Sequence, residues 1–329
     1  MNVSELVEKI EKIDGKPGVI RSVKIEHKVK ERIPREKIRI LYEPNEHMRQ
    51  VHDLIRRWLR SQAKFPNYLP KSPVANIWPH RNNTNFYQVD IWNAYGSVTI
   101  DMLMQSLEML GAFRGQIEHD IARLRFHFED KCMAFEGGLA QGLPASTDLF
   151  NVCAAMLIDY ETWRICRSMR IVYTRYVDDL TFSAGHHVFG WDTKRWLLRE
   201  LRSGGFEQNF AKTTITQDLN ATPVTITGLK LCGNGRIYVP RKYLIKLRGM
   251  LHMALKGAPI ERDMVNGYMS VFWSGFGGRS EFPDLTATER HVWWLYRLYC
   301  GENIPSPDMI SMSWTLRHAQ QLHLFEDSV

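Results

Sequence analysis

Residues 171–184 read IVYTRYVDDLTFSA, and Asp178-Asp179 interrupts a run that its apolar, β-branched and aromatic residues otherwise mark as strand. Adjacent carboxylates repel each other and are costly to desolvate, so the pair calls for a positive partner. A third acid, Asp90, lies near the end of the strand-like NFYQVDIW. If the two elements are neighbours in one sheet, three carboxylates converge. Hard oxygen ligands of that kind select Mg²⁺, and two such ions can activate a hydroxyl and stabilise a leaving pyrophosphate. The plainer reading makes Asp178-Asp179 the turn of a hairpin, although tight hairpin turns usually call for Gly or Asn.

The elements that must position these acids are legible in outline. MNVSELVEKIEKIDGK is a short amphipathic helix, and HKVKERIPREKIRILYEP is a basic, alternating strand ended by Pro44 before a helix from about Glu46 to Gln62. After the strand carrying Asp90, SVTIDMLMQSLEMLGAF reads as a helix capped by Ser97 or Thr99, with Leu103, Leu107, Leu110 and Phe113 on one face. STDLFNVCAAMLIDYETWRICRSM reads as one helix packed behind a sheet, and DTKRWLLRELRSGGF as another. The Gly-Asn-Gly of VTITGLKLCGNGRIYVP marks a hairpin, and the last ninety residues are helical, with Leu244, Leu247, Leu251 and Leu255 on one face. The order predicts an α+β fold with an antiparallel sheet covered on one side.

Composition narrows the partner. The 329 residues are 44% hydrophobic and carry a formal net charge of +7. That charge is clustered: residues 21–39 hold eight Lys/Arg against three Glu, and residues 236–262 hold seven against one. Each run alone is an ordinary solvated face, but two of them flanking a carboxylate-bearing centre point to a polyanion. Five scattered cysteines without a Cys-x-x-Cys pair indicate neither a disulfide framework nor a zinc site. With no apolar run long enough to span a membrane, a cytoplasmic location is expected.

Read together, the motifs resemble those of reverse transcriptases. DIWNAYGSV is similar to the first catalytic motif, an Asp followed five residues later by an aromatic, and YVDD to the Tyr-x-Asp-Asp motif. LAQGLPAS resembles the Leu-Pro-Gln-Gly loop with Ala140 in place of Pro, GGFEQNFAKTTI the Gly-(Phe/Leu)-x-x-Asn-x-x-Lys-Thr motif, and ITGLKLCGNGRIYVPRKYL the primer-gripping hairpin. The resemblance implies a right-hand polymerase fold: fingers within 1–85, a palm over 86–235 with a fingers insertion at about 100–140, and a primer grip and helical thumb over 236–329. It implies two Mg²⁺ ions held by Asp90, the Ile91 carbonyl and Asp178, with Asp179 either assisting as a ligand or orienting the turn. Tyr95 becomes the gate that excludes a 2′-hydroxyl, Gln141 a contact near the nascent pair, and Lys212 the cation at the leaving pyrophosphate. Lys37 and Arg39 are nominated for the dNTP triphosphate, with template backbone contact as the competing reading. On the thumb, Arg241, Lys242, Lys246 and Arg248 are nominated for primer-template phosphates, while Phe272, Trp273, Phe276, Trp293 and Trp294 are read as core.

Two shorter features resemble retron reverse transcriptases: NIWPH, with Asn76 and His80, and ITG, ending at Gly228. These residues are nominated for the RNA, with a satisfied loop histidine as the competing reading of His80. Val177 where those enzymes have Ala, Tyr95 where Phe is common and Gly96 where Pro is common keep other small bacterial defence-associated or group II intron-like enzymes open. A non-catalytic RNA-binding scaffold that kept the fold is the alternative of another class, hard to reconcile with the complete set of acids. The chain reads as a minimal enzyme with no further domain after the thumb. The retron likeness implies a structured noncoding RNA as template and primer, a branched RNA–DNA product, an effector protein encoded nearby and a role in antiphage defence.

Overall fold

A computed structural model of the chain describes residues 1–13, 17–28, 35–274 and 285–302. Helix α1 (Val3–Glu11) begins at a capping box in which the Asn2 side chain accepts from Glu5 N while Glu5 reaches back to the Asn2 N–H. The basic stretch read as one strand is two: β1 (Val19–Lys28) pairs antiparallel with β2 (Arg35–Pro44), Val19 opposite Pro44 and Lys28 opposite Arg35. No Gly or Asn separates them in the sequence, so the alternation ran on as a single element. Asn45 caps α2 (Glu46–Arg60), and Ser72 caps the short α3 (Pro73–Ile77).

Strand β3 (Asn85–Trp92) carries Asp90 and leads into α4 (Ile100–Leu110). Of the two candidate caps, Thr99 takes the role, accepting from Met102 N, and Gly111 ends the helix at φ +86°. Leu103, Leu107 and Leu110 are buried as their spacing predicts, each contributing about 1.5–3 kcal/mol of transfer free energy. Helix α5 (Glu118–Cys132) follows. The single helix expected over 146–169 is interrupted. Helix α6 (Ser146–Ala154) passes into a π-helical turn at Ala155–Asp159 before α7 (Tyr160–Ser168).

Strands β4 (Val172–Tyr176) and β5 (Asp179–Ala184) flank the acidic turn, and α8 (Trp191–Ser203), β6 (Glu207–Gln208) and β7 (Thr214–Thr216) complete this region. The five-stranded sheet runs β4-β5-β3-β6 with β7 also on β3, so the strand bearing Asp90 lies beside the strand that Asp179 opens. Strands β8 (Val224–Ile226), β9 (Leu229–Leu231) and β10 (Ile237–Tyr238) form a separate antiparallel sheet. Helices α9 (Arg241–Leu255), α10 (Arg262–Ser274) and α11 (Ala287–Tyr299) follow.

By contacts the chain forms two compact units. One holds the described parts of residues 1–69, 87–182 and 187–215; the other holds 70–86, 183–186 and the described residues from 216 onward. The first is built on a core that includes Trp58, Tyr87, Phe128, Phe150, Phe182 and Phe206. The second packs Ile77, Phe86, Leu231, Leu247, Phe272 and Trp293. Phe272 and Trp293 are therefore core, as read from the sequence, whereas Trp273 and Trp294 are half-buried and Phe276 lies outside the described residues. Leu255, expected on the apolar face of α9, is 39% exposed because it falls at the last residue of the helix. Among the described residues no helix is long and apolar enough to cross a membrane, and the five cysteines are free, three of them buried.

Candidate active site

The turn between β4 and β5 is Val177-Asp178, one residue earlier than the paired acids suggested, and Val177 bears its strain. Its φ of +57° lies in the left-handed region, where a β-branched residue costs about 1–3 kcal/mol. Arg175 holds it there. The guanidinium Nη1 donates to the Val177 carbonyl at 2.9 Å and to Asn151 Oδ1 at 2.8 Å. Its Nε and Nη2 fork onto the Asp159 carboxylate at 2.9 and 2.8 Å. Asp159 also accepts from the Tyr173 and Tyr68 hydroxyls at 2.7 and 3.1 Å. The Arg175 side chain is 0% exposed and that of Asp159 4%, so the pair survives burial because it is almost fully hydrogen-bonded. The π-helical turn ends on Asp159 and delivers its carboxylate to this network.

The turn is fastened to β3 by the Ile91 N–H, which donates to the Asp178 carbonyl at 3.0 Å. Beside it, Asp90 is buried and engaged on both oxygens. Asn209 Nδ2 donates to Oδ1 at 2.7 Å, and Lys212 Nζ donates to Oδ2 at 2.5 Å. The Asn209 N–H also donates to the Asp90 carbonyl at 2.8 Å, and the pairing of Ile91 with Gln208 brings this segment in. Asp179 points an edge to solvent, yet its carboxyl is pushed up to about 6. Desolvation by the surrounding protein is the main cause, the Asp178 and Asp90 charges add to it, and Lys212 opposes it. The three acids are thus close enough to feel one another.

A hard divalent cation fits this donor set chemically, since it would relieve the repulsion recorded in the Asp179 carboxyl. Among the described residues, however, no three acid, His or Cys side chains are already grouped tightly enough to hold a metal ion, and Asp90 is occupied by Lys212 and Asn209. Lys212 here is the counter-charge of Asp90.

Tyr95 is held at three points. Its hydroxyl shares a 3.0 Å hydrogen bond with Thr147 Oγ1, its ring lies 5.5 Å from Phe150, and its carbonyl accepts from Leu139 N at 2.8 Å. Burial raises the pKa of the hydroxyl; the Thr147 bond lowers it in part, and the charge of nearby Asp178 raises it further. The glycine at 96 has a cause here too: a Cβ on Gly138 would lie 2.4 Å from the Gly96 Cα, so two backbones meet where a Pro ring at 96 would crowd. Gln141 is half-buried, and its carbonyl accepts from Tyr42 N at 2.8 Å, tying the loop to β2. Lys37 and Arg39 lie on β2, but their side chains are outside the described residues.

The remaining nominated residues belong to the second unit. Asn76 and His80 are 0% exposed, packed inside the second unit rather than on its surface. His80 Nδ1 meets Ser183 Oγ at 2.6 Å, and burial lowers its pKa to about 3; the Asn76 amide is buried with no hydrogen-bond partner among the described residues. Gly228 is a turn residue: Thr227 at φ +45° and Gly228 at φ +84° link β8 to β9 with the positive φ values of a type I′ hairpin. Arg241, Lys242, Lys246 and Arg248 are exposed along α9, with Lys246 Nζ 4.9 Å from the centre of the Tyr268 ring.

Sequence reasoning did not nominate Arg175, Asp159, Asn151, Asn209 or Thr147. Asn209 lay inside a quoted motif, and Arg175 was visible as a charge within an otherwise uncharged strand. Asp159 and Thr147 carried no comparable signal.

The family model for reverse transcriptase (RNA-dependent DNA polymerase) matches residues 26–231, a span that includes the sheet setting Asp90 beside the acidic hairpin and the lysine on its carboxylate. The chain belongs to the reverse transcriptase family and has the α+β right-hand polymerase fold. Retron enzymes are among the proteins it is similar to. It is 25% identical over 251 residues to the retron Ec86 reverse transcriptase of Escherichia coli, covering 75% of this chain and 74% of that one. It is 28% identical over 246 residues to the retron Mx65 reverse transcriptase of Myxococcus xanthus, covering 68% of this chain and 55% of that protein. In three dimensions it is similar to telomerase from Candida albicans solved in complex with a TWJ fragment of telomeric RNA. That likeness has a TM-score of 0.47 and 12% identity, and covers 95% of this chain and 67% of the other.

Proposed function

We propose that this chain copies an RNA template into DNA with Mg²⁺ as cofactor, adding dNTPs at a centre made by Asp90, Asp178 and Asp179. The observation that carries the reading is the fastening of the Asp178 turn beside Asp90 through Ile91 N and Asp178 O, on a hairpin whose strain Arg175 supports. Asp90, the Ile91 carbonyl, Asp178 and Asp179 are the groups that would hold two Mg²⁺ ions, which when bound lower the cost of forming the attacking alkoxide and the leaving pyrophosphate. Lys212, released from Asp90, is left beside the site as a cation for the pyrophosphate, and Tyr95, fixed by Thr147, walls off the sugar 2′-position. Fingers within 1–85, palm within 86–235 and thumb within 236–329 are the division that suits this reading, with Lys37, Arg39 and Gln141 serving the dNTP and the exposed α9 cations the primer-template phosphates.

In its native setting the template and primer would be a structured noncoding RNA, the product DNA joined to that RNA, and the purpose defence against phage together with an effector protein. The likeness to the two retron enzymes supports this. Nucleic acid recovered with the protein from its host tests it. A defined DNA covalently joined to RNA is expected; random or homopolymeric DNA would point to another defence-associated enzyme, and failure of the purified protein to extend any primer with Mg²⁺ and dNTPs would leave an RNA-binding scaffold.

A further inference from the structure

Helices α7 and α8 present outward a set of large rings that neither core uses. Tyr160 is 72% exposed, Trp163 53%, Trp191 68% and Trp196 49%. The helices are adjacent: they contact each other directly, and Arg164 of α7 feels the charge of Glu200 of α8. Exposed aromatic surface of this extent on two neighbouring helices is unusual for a face meant only for water. Its decoration is specific. One turn after each of two tryptophans an arginine lies over the ring, Arg167 at 5.1 Å from Trp163 and Arg195 at 5.0 Å from Trp191. Across both helices six Lys/Arg stand against three Asp/Glu.

We propose that this face is a docking surface for an unpaired stretch of RNA, separate from the acid-bearing turn. Rings offer a π-face to any base, and the guanidiniums stacked on them keep donors free for the phosphates that join the bases. A protein partner is the other class such rings can serve, but a protein-binding core also draws on aliphatic side chains and is poor in charge. Here the exposed large apolar side chains of α7 and α8 are all aromatic, and each helix carries a positive excess. The surface does not depend on the catalytic reading: its residues touch none of the acids.

The test uses the full chain and a fluorescent, unstructured RNA oligonucleotide of about 15 nucleotides, within the site sizes such surfaces cover. Loss of one stacked base is a loss of about fivefold or more in affinity, so Trp163→Ala with Trp191→Ala should weaken binding by about 25-fold. Arg167→Gln with Arg195→Gln should reduce the slope of log affinity against log salt by about 1.4, two phosphates at the single-strand value. Ultraviolet crosslinking of the same RNA to wild-type protein should label peptides from 160–168 and 191–203, a readout that needs no variant to fold. Extension of a short primed template should be unchanged in both double variants. Unaltered affinity and salt slope, crosslinks only elsewhere, or preference for DNA of the same sequence would each overturn the assignment; crosslinks only elsewhere would leave the face to a protein partner.

Discussion

Asp159 is remote from any nucleotide in sequence and mechanism, yet its loss should disable the enzyme through Arg175. Asp159→Ala leaves the guanidinium buried with carbonyl and amide partners but no counter-charge, and strips the Tyr68 and Tyr173 hydroxyls of their acceptor. Breaking a buried pair of this kind costs about 3–5 kcal/mol, a large part of the roughly 5–15 kcal/mol a domain has. For a region of this size that is a fall in Tm of about 6–20 °C, readable by differential scanning calorimetry. The double variant Asp159→Leu with Arg175→Met separates stability from activity. Replacing both charges with apolar side chains should restore most of the lost stability. It should not restore primer extension, because the Val177 carbonyl still lacks the donor that holds its left-handed turn. A single variant losing less than about 1 kcal/mol, or a double variant extending primers like wild type, would refute the positioning role.

Three further outcomes follow from the same geometry. His52 accepts from Ala145 N through Nδ1 and donates from Nε2 to the Lys131 carbonyl, and burial pushes its pKa down to about 4. Since the unfolded value is near 6.5, the neutral ring's contribution is full above that pH and is lost as pH falls from 6.5 through 4; the urea midpoint should drop over that window, less so in His52→Gln. Thr147→Val and Tyr95→Phe each delete one hydrogen bond on the gate, worth about 0.5–1.5 kcal/mol, and should raise rNTP use relative to dNTP by about two- to tenfold, with Tyr95→Ala raising it more. Unchanged discrimination in Tyr95→Ala would remove the gate assignment altogether. Gly138→Ala sets a Cβ against the Gly96 backbone at φ +77° and should cost about 2 kcal/mol or more in a denaturant titration.

The sequence disclosed the parts of the site that chemistry restricts by residue type. Acids in a strand and a lysine three residues after an asparagine are each improbable as filler, and the fold brings Asp90, Asn209 and Lys212 together; Thr227-Gly228, noticed only as part of ITG, forms the β8–β9 turn. The elements with clean periodicity were equally legible, as α2 and α4 show in ending within a few residues of their expected bounds. Legibility failed where long-range contacts decide the conformation. Val177 has no intrinsic tendency toward positive φ and adopts it because Arg175 reaches the turn from a buried network whose members are 16 to 107 positions from Arg175 or close beside it. The π-helical turn reads as plain helix for the same reason: nothing local in AMLID distinguishes one extra residue per turn. For His80 the sequence leaves an RNA contact and a satisfied histidine both open, and only its packing against Phe86 and Ser183 reveals it as core.

The Val177-Asp178 turn and Asp90 are proposed as one centre for making DNA on RNA. Incorporation of dNTPs on a primed RNA template with Mg²⁺, compared among wild type, Asp90→Asn, Asp178→Asn and Asp179→Asn at matched folding by circular dichroism, tests it most directly. Wild type should extend the primer, Asp90→Asn and Asp178→Asn should lose about 100- to 1000-fold or more, and Asp179→Asn should lose less. Near wild-type extension by folded Asp90→Asn or Asp178→Asn would contradict the account.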